Sequence, residues 1–132
     1  MPTSQKPIEL ILMRQLASSL VTPVFLVDVA GTLIFYNEPA EELLGLRFDE
    51  TGEMPAGEWA TRWEPTAGDG TPLPPEALPL MMAIAQRRPA HGTFWIRRHD
   101  GGRRRIQVTA IPFVATPDRL LGAAAVFRED DG

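Results

Sequence analysis

Residues 23–40 read PVFLVDVAGTLIFYNEPA, and this stretch decides the fold. Val24–Val29 is apolar at nearly every position, and Thr32–Tyr36 is a second apolar run after the Ala30-Gly31 turn. Two such runs around a short turn predict an antiparallel hairpin. Because side chains alternate along a strand, one face is expected to carry Val24, Leu26, Leu33 and Phe35, and the other Phe25, Val27, Ile34 and Tyr36. An antiparallel sheet usually keeps one face polar, so this hairpin should be covered on both sides.

The segments on either side of the hairpin are expected to supply these covers. Ile8–Leu20 has an apolar residue at every fourth position, which predicts an amphipathic helix. Thr22-Pro23 ends this helix, because proline lacks an amide donor and disfavours helical backbone at the residue before it. After the hairpin, Asn37 is expected to cap a second helix, which Gly45 ends.

The rest of the chain predicts a loop, a helix and three strands. Residues 46–74 are rich in Gly, Pro, Asp and Glu, and Trp59 and Trp63 lie four residues apart, which predicts a loop with a short helical turn. Apolar spacing predicts a helix over Pro75–Arg87. Strands are then predicted at Gly92–Arg98, Arg104–Phe113 and Leu120–Phe127.

This order of elements is typical of the α+β class. We predict a five-stranded antiparallel sheet with helices packed on one face, together with the N-terminal amphipathic helix. The chain is thereby divided into residues 1–21, a helix that caps the sheet or dimerises, and residues 22–132, one globular domain.

Composition excludes several kinds of site. The 132 residues include no cysteine, which excludes disulfides, thiolate zinc sites, iron–sulfur clusters and a cysteine nucleophile. A chain of this length buries enough surface for a core of its own. No apolar run approaches the roughly 18 residues of a membrane span, and no signal peptide is visible. We therefore expect a cytoplasmic protein that does not contact a membrane.

The charges are unevenly distributed. Residues 38–76 carry ten acidic residues and only two arginines, whereas residues 87–105 carry seven arginines and one acidic residue. Clustered arginines are used either to bind anions or as a solvated strand face, and we favour the solvated face. Because the net charge is −4 and few aromatic residues accompany these arginines, nucleic-acid binding ranks last among the functions considered.

Three blocks in the right order resemble a PAS domain, the sensor module of many bacterial kinases, phosphatases and regulators. The first block comprises Pro23–Gly31, Leu33–Ala40 and Leu43–Gly45, the second comprises Gly70–Leu73 and Leu78-Pro79, and the third comprises Ile96–Gly101, Ala110–Pro112 and Gly122–Arg128. The resemblance implies a sensory, signal-transducing domain that forms a homodimer and regulates a partner or a fused output domain. Members that signal to a following domain commonly continue into a connecting helix, whereas this sequence ends at Glu129–Gly132. Both a stand-alone module and a fragment of a longer protein fit this ending.

The resemblance also implies a pocket between the sheet and the helices. Flavin photosensors of the family need a cysteine, which this chain lacks, and haem sensors commonly use a histidine from the helix before the third strand. The two histidines, His91 and His99, are expected at the surface, and in an extended chain they lie roughly 26 Å apart. We therefore expect neither haem, flavin nor a metal site, and leave open a small apolar ligand or a fully packed core.

Apolar residues are expected to line this pocket, and they are Phe25, Val27, Ile34, Tyr36, Leu44, Trp59, Trp63, Met81 and Met82. Such side chains suit an apolar ligand and equally suit a packed core. Arg62, near the two tryptophans, is the one candidate partner for an anionic ligand.

The remaining expectations concern assembly and catalysis. The helix residues Ile8, Ile11, Leu12, Leu16 and Leu20 are expected to form a dimer interface, together with the outer sheet face. We expect no catalytic residue, because no nucleophile or phosphate-loop motif is present and Asp28 suits a turn better than a catalytic base. The alternatives are a ligand-free protein interaction module and, as a minor reading, a small α+β enzyme.

Overall fold

The computed structural model describes residues 8–130. Its helices are α1 Ile8–Ser18, α2 Glu38–Leu44, α3 Phe48–Thr51, α4 Ala56–Arg62 and α5 Pro79–Gln86, with a 3₁₀ turn at Pro75–Ala77. Its strands are β1 Val24–Asp28, β2 Leu33–Tyr36, β3 Ala90–Arg97, β4 Arg103–Thr116 and β5 Arg119–Glu129. The strands form one antiparallel sheet in the order β2-β1-β5-β4-β3. The predicted α+β fold is confirmed.

The sheet separates two layers of unequal size. Its inner face packs against α2 to α5 in one large apolar core. Its outer face packs against α1 in a smaller cluster, in which Leu10 and Ala17 contact the sheet residues around Leu26. None of the helices in residues 8–130 is long and apolar enough to cross a membrane.

A β-bulge changes the faces predicted for β2. Val27 pairs with Leu33 and Leu26 pairs with Phe35, so Ile34 is an extra residue between two pairs. An extra residue shifts the alternation of the side chains by one position. Leu33 therefore lies in the inner core, and Ile34 lies in the outer cluster under α1. The prediction that Ile34 faces the pocket is wrong for this reason.

Asn37 joins the two layers and caps α2, as predicted. Its Oδ1 accepts hydrogen bonds from the amides of Val24 at 3.0 Å and Ala40 at 3.2 Å. Its Nδ2 donates to the carbonyls of Ala17 and Thr22, each at 2.9 Å. One buried side chain thus ties α1, the start of β1 and α2 together, and it has all its main hydrogen bonds satisfied.

Residues 46–74 are more ordered than the predicted loop. They contain α3 and α4, and they also pair with both edges of the sheet, through Met54 with Leu33 of β2 and through Thr66 with Trp95 of β3. The helix predicted from Pro75 is divided, because Leu78 is extended and α5 begins only at Pro79. Proline suits this first position, since it has no amide hydrogen to satisfy.

Candidate functional site

A cavity of about 70 Å³ lies between the inner face of the sheet and the helical layer. Every lining side chain is aliphatic, aromatic or proline, and the lining residues are Phe25, Leu44, Trp59, Ala60, Trp63, Pro65, Leu78, Pro79, Leu80, Phe94, Ile96, Ile106, Val108, Ala125 and Phe127. A water molecule needs about 10–15 Å³ on the same measure, so the cavity has room for a small molecule. We refer to it as the inner cavity.

The strand pattern explains why the space exists. Inward positions alternate along β4, where Ile106 and Val108 reach the cavity, and along β3, where Phe94 and Ile96 do so. In β5 the inward residue Ala125 is small, and its partner in β4, Ala110, is equally small. Large residues on β3 and β4 beside a small one on β5 leave a gap in the inner layer.

Aromatic rings form the wall of the inner cavity next to β1. The Phe25 ring meets the rings of Trp59 and Trp63 edge to face, with centroids 5.5 and 6.0 Å apart, and stacks on Tyr36 at 5.6 Å. Phe127 completes the contact from β5 at 6.3 Å. Offset and edge-to-face contacts of this kind hold rings in fixed orientations. The wall is therefore preformed.

Four of the nine residues predicted for the pocket line the inner cavity, namely Phe25, Leu44, Trp59 and Trp63. Val27 and Tyr36 lie in the same core without reaching the cavity, and Met81 and Met82 pack against that core from α5. The residues just before them in the sequence, Leu78 to Leu80, line the cavity instead. Ile34 lies on the opposite face of the sheet.

None of the nine residues predicted from the sequence belongs to β3, β4 or β5, although residues of these three strands line the cavity. The signal for them was present in the alternation of Ile106 and Val108 with polar residues along the predicted strand. Alternation alone identifies an inward face but does not show which inward residues border a gap.

The buried polar groups around the inner cavity differ in whether they have partners. The Trp59 Nε1 donates to the carbonyl of Gly31 at 2.8 Å, and the Tyr36 hydroxyl donates to the carbonyl of Leu46 at 2.8 Å. Burial is the main cause that raises the pKa of Tyr36 above its ordinary value. The Trp63 Nε1 is buried and has no hydrogen-bond partner within residues 8–130. Arg62, the candidate partner for an anionic ligand, is exposed, lies 3.8 Å from Glu58 and is not among the residues that line the inner cavity.

The histidines and Asp28 have structural surroundings. His91 is exposed and its Nδ1 lies 3.2 Å from the hydroxyl of Thr109, and His99 is exposed beside the β3–β4 turn. Within the described residues no three metal-binding side chains cluster. The Asp28 carboxylate accepts hydrogen bonds from the amides of Ala30 and Thr32, each at 3.0 Å, which is the turn role expected for it.

The predicted interface residues of α1 point away from the sheet. Leu10 and Ala17 are buried on the sheet side, whereas the exposed residues are Ile8, Ile11, Leu12, Leu16 and Leu20. We call these five residues the α1 stripe. Leu12 and Leu16 are each more than half exposed, at 56% and 53%, so the stripe contributes little to the core of the described chain.

The arginines of residues 87–105 and their neighbours mostly have acidic partners. Nitrogen-to-oxygen distances are 3.3 Å for Arg97 with Glu64 and 3.3 Å for Arg98 with Asp100. Arg103 instead lies over the ring of Trp95, 4.9 Å from its centroid. Arg97 and Arg103 are exposed on their strands, as on a solvated face, whereas Arg98 is partly buried and donates to the carbonyl of Glu42 at 2.6 Å.

The architecture defines the class to which the chain belongs, a single antiparallel sheet with short helices on its inner face and a cavity between them. A family model described as PAS domain matches residues 12–85, more than half of the chain. The chain belongs to the PAS domain family, whose members are sensory signal-transduction modules and are generally not catalytic. A search of curated proteins found no match.

Solved structures share this fold at low sequence identity. The PAS domain of a Colwellia psychrerythraea protein is 15% identical with a TM-score of 0.64, and the alignment covers 92% of this chain and 97% of that one. The PAS domain of Bordetella pertussis BvgS is 15% identical with a TM-score of 0.65, covering 96% and 89%. The LOV protein of Rhodobacter sphaeroides is 13% identical with a TM-score of 0.72, covering 93% and 68%. At these identities the likeness concerns the fold.

The residues that line the inner cavity do not fit a flavin. The inner cavity measures about 70 Å³, against roughly 300 Å³ or more for a site that holds a molecule of that size. Among residues 8–130 no charged or amide side chain lines it, and the sequence has no cysteine with which a flavin could react.

Proposed function

We propose that this chain is a sensory PAS domain that binds a small apolar ligand in the inner cavity and regulates a partner or fused output domain through a homodimer. In this proposal residues 1–21 carry the dimer contact and residues 22–132 carry the sensor. The observation that carries the ligand part is the wholly apolar lining of a cavity of about 70 Å³. The inner cavity is partly open to the surface, and apolar pockets between packed layers are where proteins commonly bind small molecules.

The proposed mechanism is a shift between two packings of the helices on the sheet. A ligand that touches α4, α5 and the sheet at once favours the packing in which the cavity is widest. Leu44 links the cavity to α2, and Asn37 links α2 to the carbonyl of Ala17 in α1. These contacts give the ligand a route to the dimer surface. The ligand changes the output only to the extent that its affinity differs between the two packings.

A hydrocarbon of suitable size tests the ligand part of the proposal. Methylenecyclobutane, at ten times its dissociation constant, should raise the Tm of the protein by about 5 °C, because a ligand that binds only the native state stabilises it by mass action. The Ala125→Val variant adds two methyl groups inside the lining and should lose this shift. Ala115→Val adds the same groups at an exposed position of β4 and should keep it. The absence of a shift in the wild type, or an equal shift in Ala125→Val, contradicts ligand binding in the inner cavity.

The α1 stripe supports the homodimer part. It consists of four exposed aliphatic side chains on α1 and a fifth, Leu20, two residues after the end of that helix, and exposed apolar surface of this kind commonly marks an interaction site. In a twofold dimer the same patch meets its own copy, so one stripe is sufficient for both subunits. The alternative function, a ligand-free interaction module, is supported by this stripe alone and assigns no role to the inner cavity.

A charged substitution on the stripe tests the dimer. Leu16→Glu should shift the mass measured by light scattering from dimer to monomer, since an unpaired carboxylate would be buried in the contact. Gln15→Glu introduces the same charge at a neighbouring exposed position and should leave the dimer intact. A wild-type monomer, or an unchanged dimer in Leu16→Glu, contradicts the proposed interface. A dimer without any ligand effect on Tm supports the ligand-free module instead.

A further inference from the structure

The two tryptophans that line the inner cavity differ in whether the indole N–H has a hydrogen-bond acceptor. The indole N–H of Trp59 is used within the fold, because it donates to the carbonyl of Gly31 at 2.8 Å. The indole N–H of Trp63 is buried and finds no acceptor in residues 8–130. The two rings therefore contribute similar apolar surface, but only Trp63 retains a hydrogen-bond donor.

A buried donor without an acceptor is costly, and native structures contain few of them. Phenylalanine at position 63 would supply an apolar ring without that cost. The other fourteen lining side chains carry no free polar hydrogen, since thirteen have no polar atom and Trp59 is already bonded. Trp63 is thus the exception in an otherwise apolar lining.

The neighbours of Trp63 hold its ring in place without offering an oxygen atom. Its ring packs edge to face with Phe25 and with Tyr36, in each case with centroids 6.0 Å apart. The Tyr36 hydroxyl donates to the carbonyl of Leu46. The backbone carbonyl of Trp63 accepts from the amide of Arg97 at 2.7 Å, which fixes this residue to β3.

We propose that the Trp63 indole N–H is the polar anchor of the ligand. The inner cavity then selects small neutral molecules that have an apolar body and one hydrogen-bond acceptor, such as a ketone or an ether. A carboxylate is disfavoured, because no cationic side chain in the described part of the chain lines the cavity and Arg62 lies at the surface with Glu58. This inference rests on the proposed function and adds the chemical class of the ligand.

Two probes of nearly the same shape test the anchor. Cyclobutanone carries a carbonyl oxygen where methylenecyclobutane carries a CH₂ group, so only the ketone can accept a hydrogen bond. In ¹H–¹⁵N spectra of the ¹⁵N-labelled protein, cyclobutanone should move the Trp63 indole proton downfield and methylenecyclobutane should not. The Trp59 indole proton should respond alike to both probes, because it is already bonded to Gly31.

Affinities provide the second measurement. The ratio of ketone affinity to hydrocarbon affinity should fall about tenfold in Trp63→Phe, and Trp59→Phe should leave the ratio unchanged. Should Trp63→Phe fail to fold, the proton shifts in the wild type still decide the question. Binding of both probes without a downfield shift at Trp63, or a ratio that survives in Trp63→Phe, overturns the anchor while the cavity function stands. Binding of neither probe overturns both.

Discussion

The two faces of one sheet are covered in opposite ways. The inner face meets α2 to α5 and an aromatic cluster around Phe25, which is 6% exposed. The outer face meets α1 alone, which buries Leu10 to 1% exposure and leaves Leu12 at 56%. The β1–β2 hairpin is apolar on both sides, so at these two strands composition does not cause the difference.

The difference separates residues that stabilise the fold from residues available for contact. Burial of apolar side chains is the main favourable term in folding, and the inner layer contains most of it. The α1 stripe stays outside the core, so the single chain gains little from it. In the proposed function the ligand acts on the inner layer, and a second molecule contacts the outer layer.

The largest expected effect comes from removing an inner ring. Phe25→Ala should lower the free energy of unfolding by about 4 kcal/mol, since it deletes a buried ring that contacts four other rings. Leu16→Ala should change it by less than about 0.5 kcal/mol at dilutions where the chain is monomeric. Urea unfolding followed by circular dichroism measures both. Similar decreases in the free energy of unfolding for the two variants would contradict the distinction between the layers.

Asn37 comes next, because it is the polar link between the layers. Asn37→Ala should cost about 3 kcal/mol, since it removes the cap of α2 and leaves the buried amide of Val24 without its acceptor. Asn37→Ser keeps a capping oxygen but loses the two bonds to Ala17 and Thr22.

Hydrogen exchange distinguishes these two Asn37 variants. In Asn37→Ser the amides of α1 should exchange faster relative to those of α2, because the bond to Ala17 of α1 is lost, with the bond to Thr22 after it, while α2 keeps its cap. Equal acceleration in α1 and α2 would mean that Asn37 acts on the fold as a whole and does not couple α1 to it separately.

Local signals predicted most of the fold. The hairpin, the Asn37 cap and the stop at Gly45 each depend on residues close in sequence, and all three are present. The bulge at Ile34 was missed because it arises from pairing between strands, and one inserted residue reverses the faces after it. The regular structure of residues 46–74 was not predicted in full, because it depends on pairing with sheet edges that are distant in sequence, through Met54 and Thr66.

The candidate site was harder to predict than the fold. Apolar character identified Phe25, Leu44 and the two tryptophans, but Met81 and Met82 satisfy the same criterion and do not line the cavity. A cavity is a defect in packing between elements that are distant in sequence, so no single element encodes it. The surroundings of an indole N–H are likewise settled only in three dimensions.

The smallest expected effect concerns the one tyrosine of the chain, which lies in the inner layer. Burial raises the pKa of Tyr36 above its ordinary value of 10.0, so above pH 10 the unfolded chain loses the phenol proton before the folded chain does. The contribution of Tyr36 to stability is therefore complete below pH 10 and declines as the pH rises towards its folded-state pKa.

At neutral pH Tyr36→Phe should lower the free energy of unfolding by about 1 kcal/mol, because the carbonyl of Leu46 loses its donor. Urea unfolding at increasing pH should show this difference shrinking above pH 10, while absorbance at about 295 nm follows ionisation of the phenol. If the difference in free energy of unfolding between wild type and Tyr36→Phe stays constant in alkali, water reaches the hydroxyl. The inner layer would then be more open than its comparison with the outer layer implies.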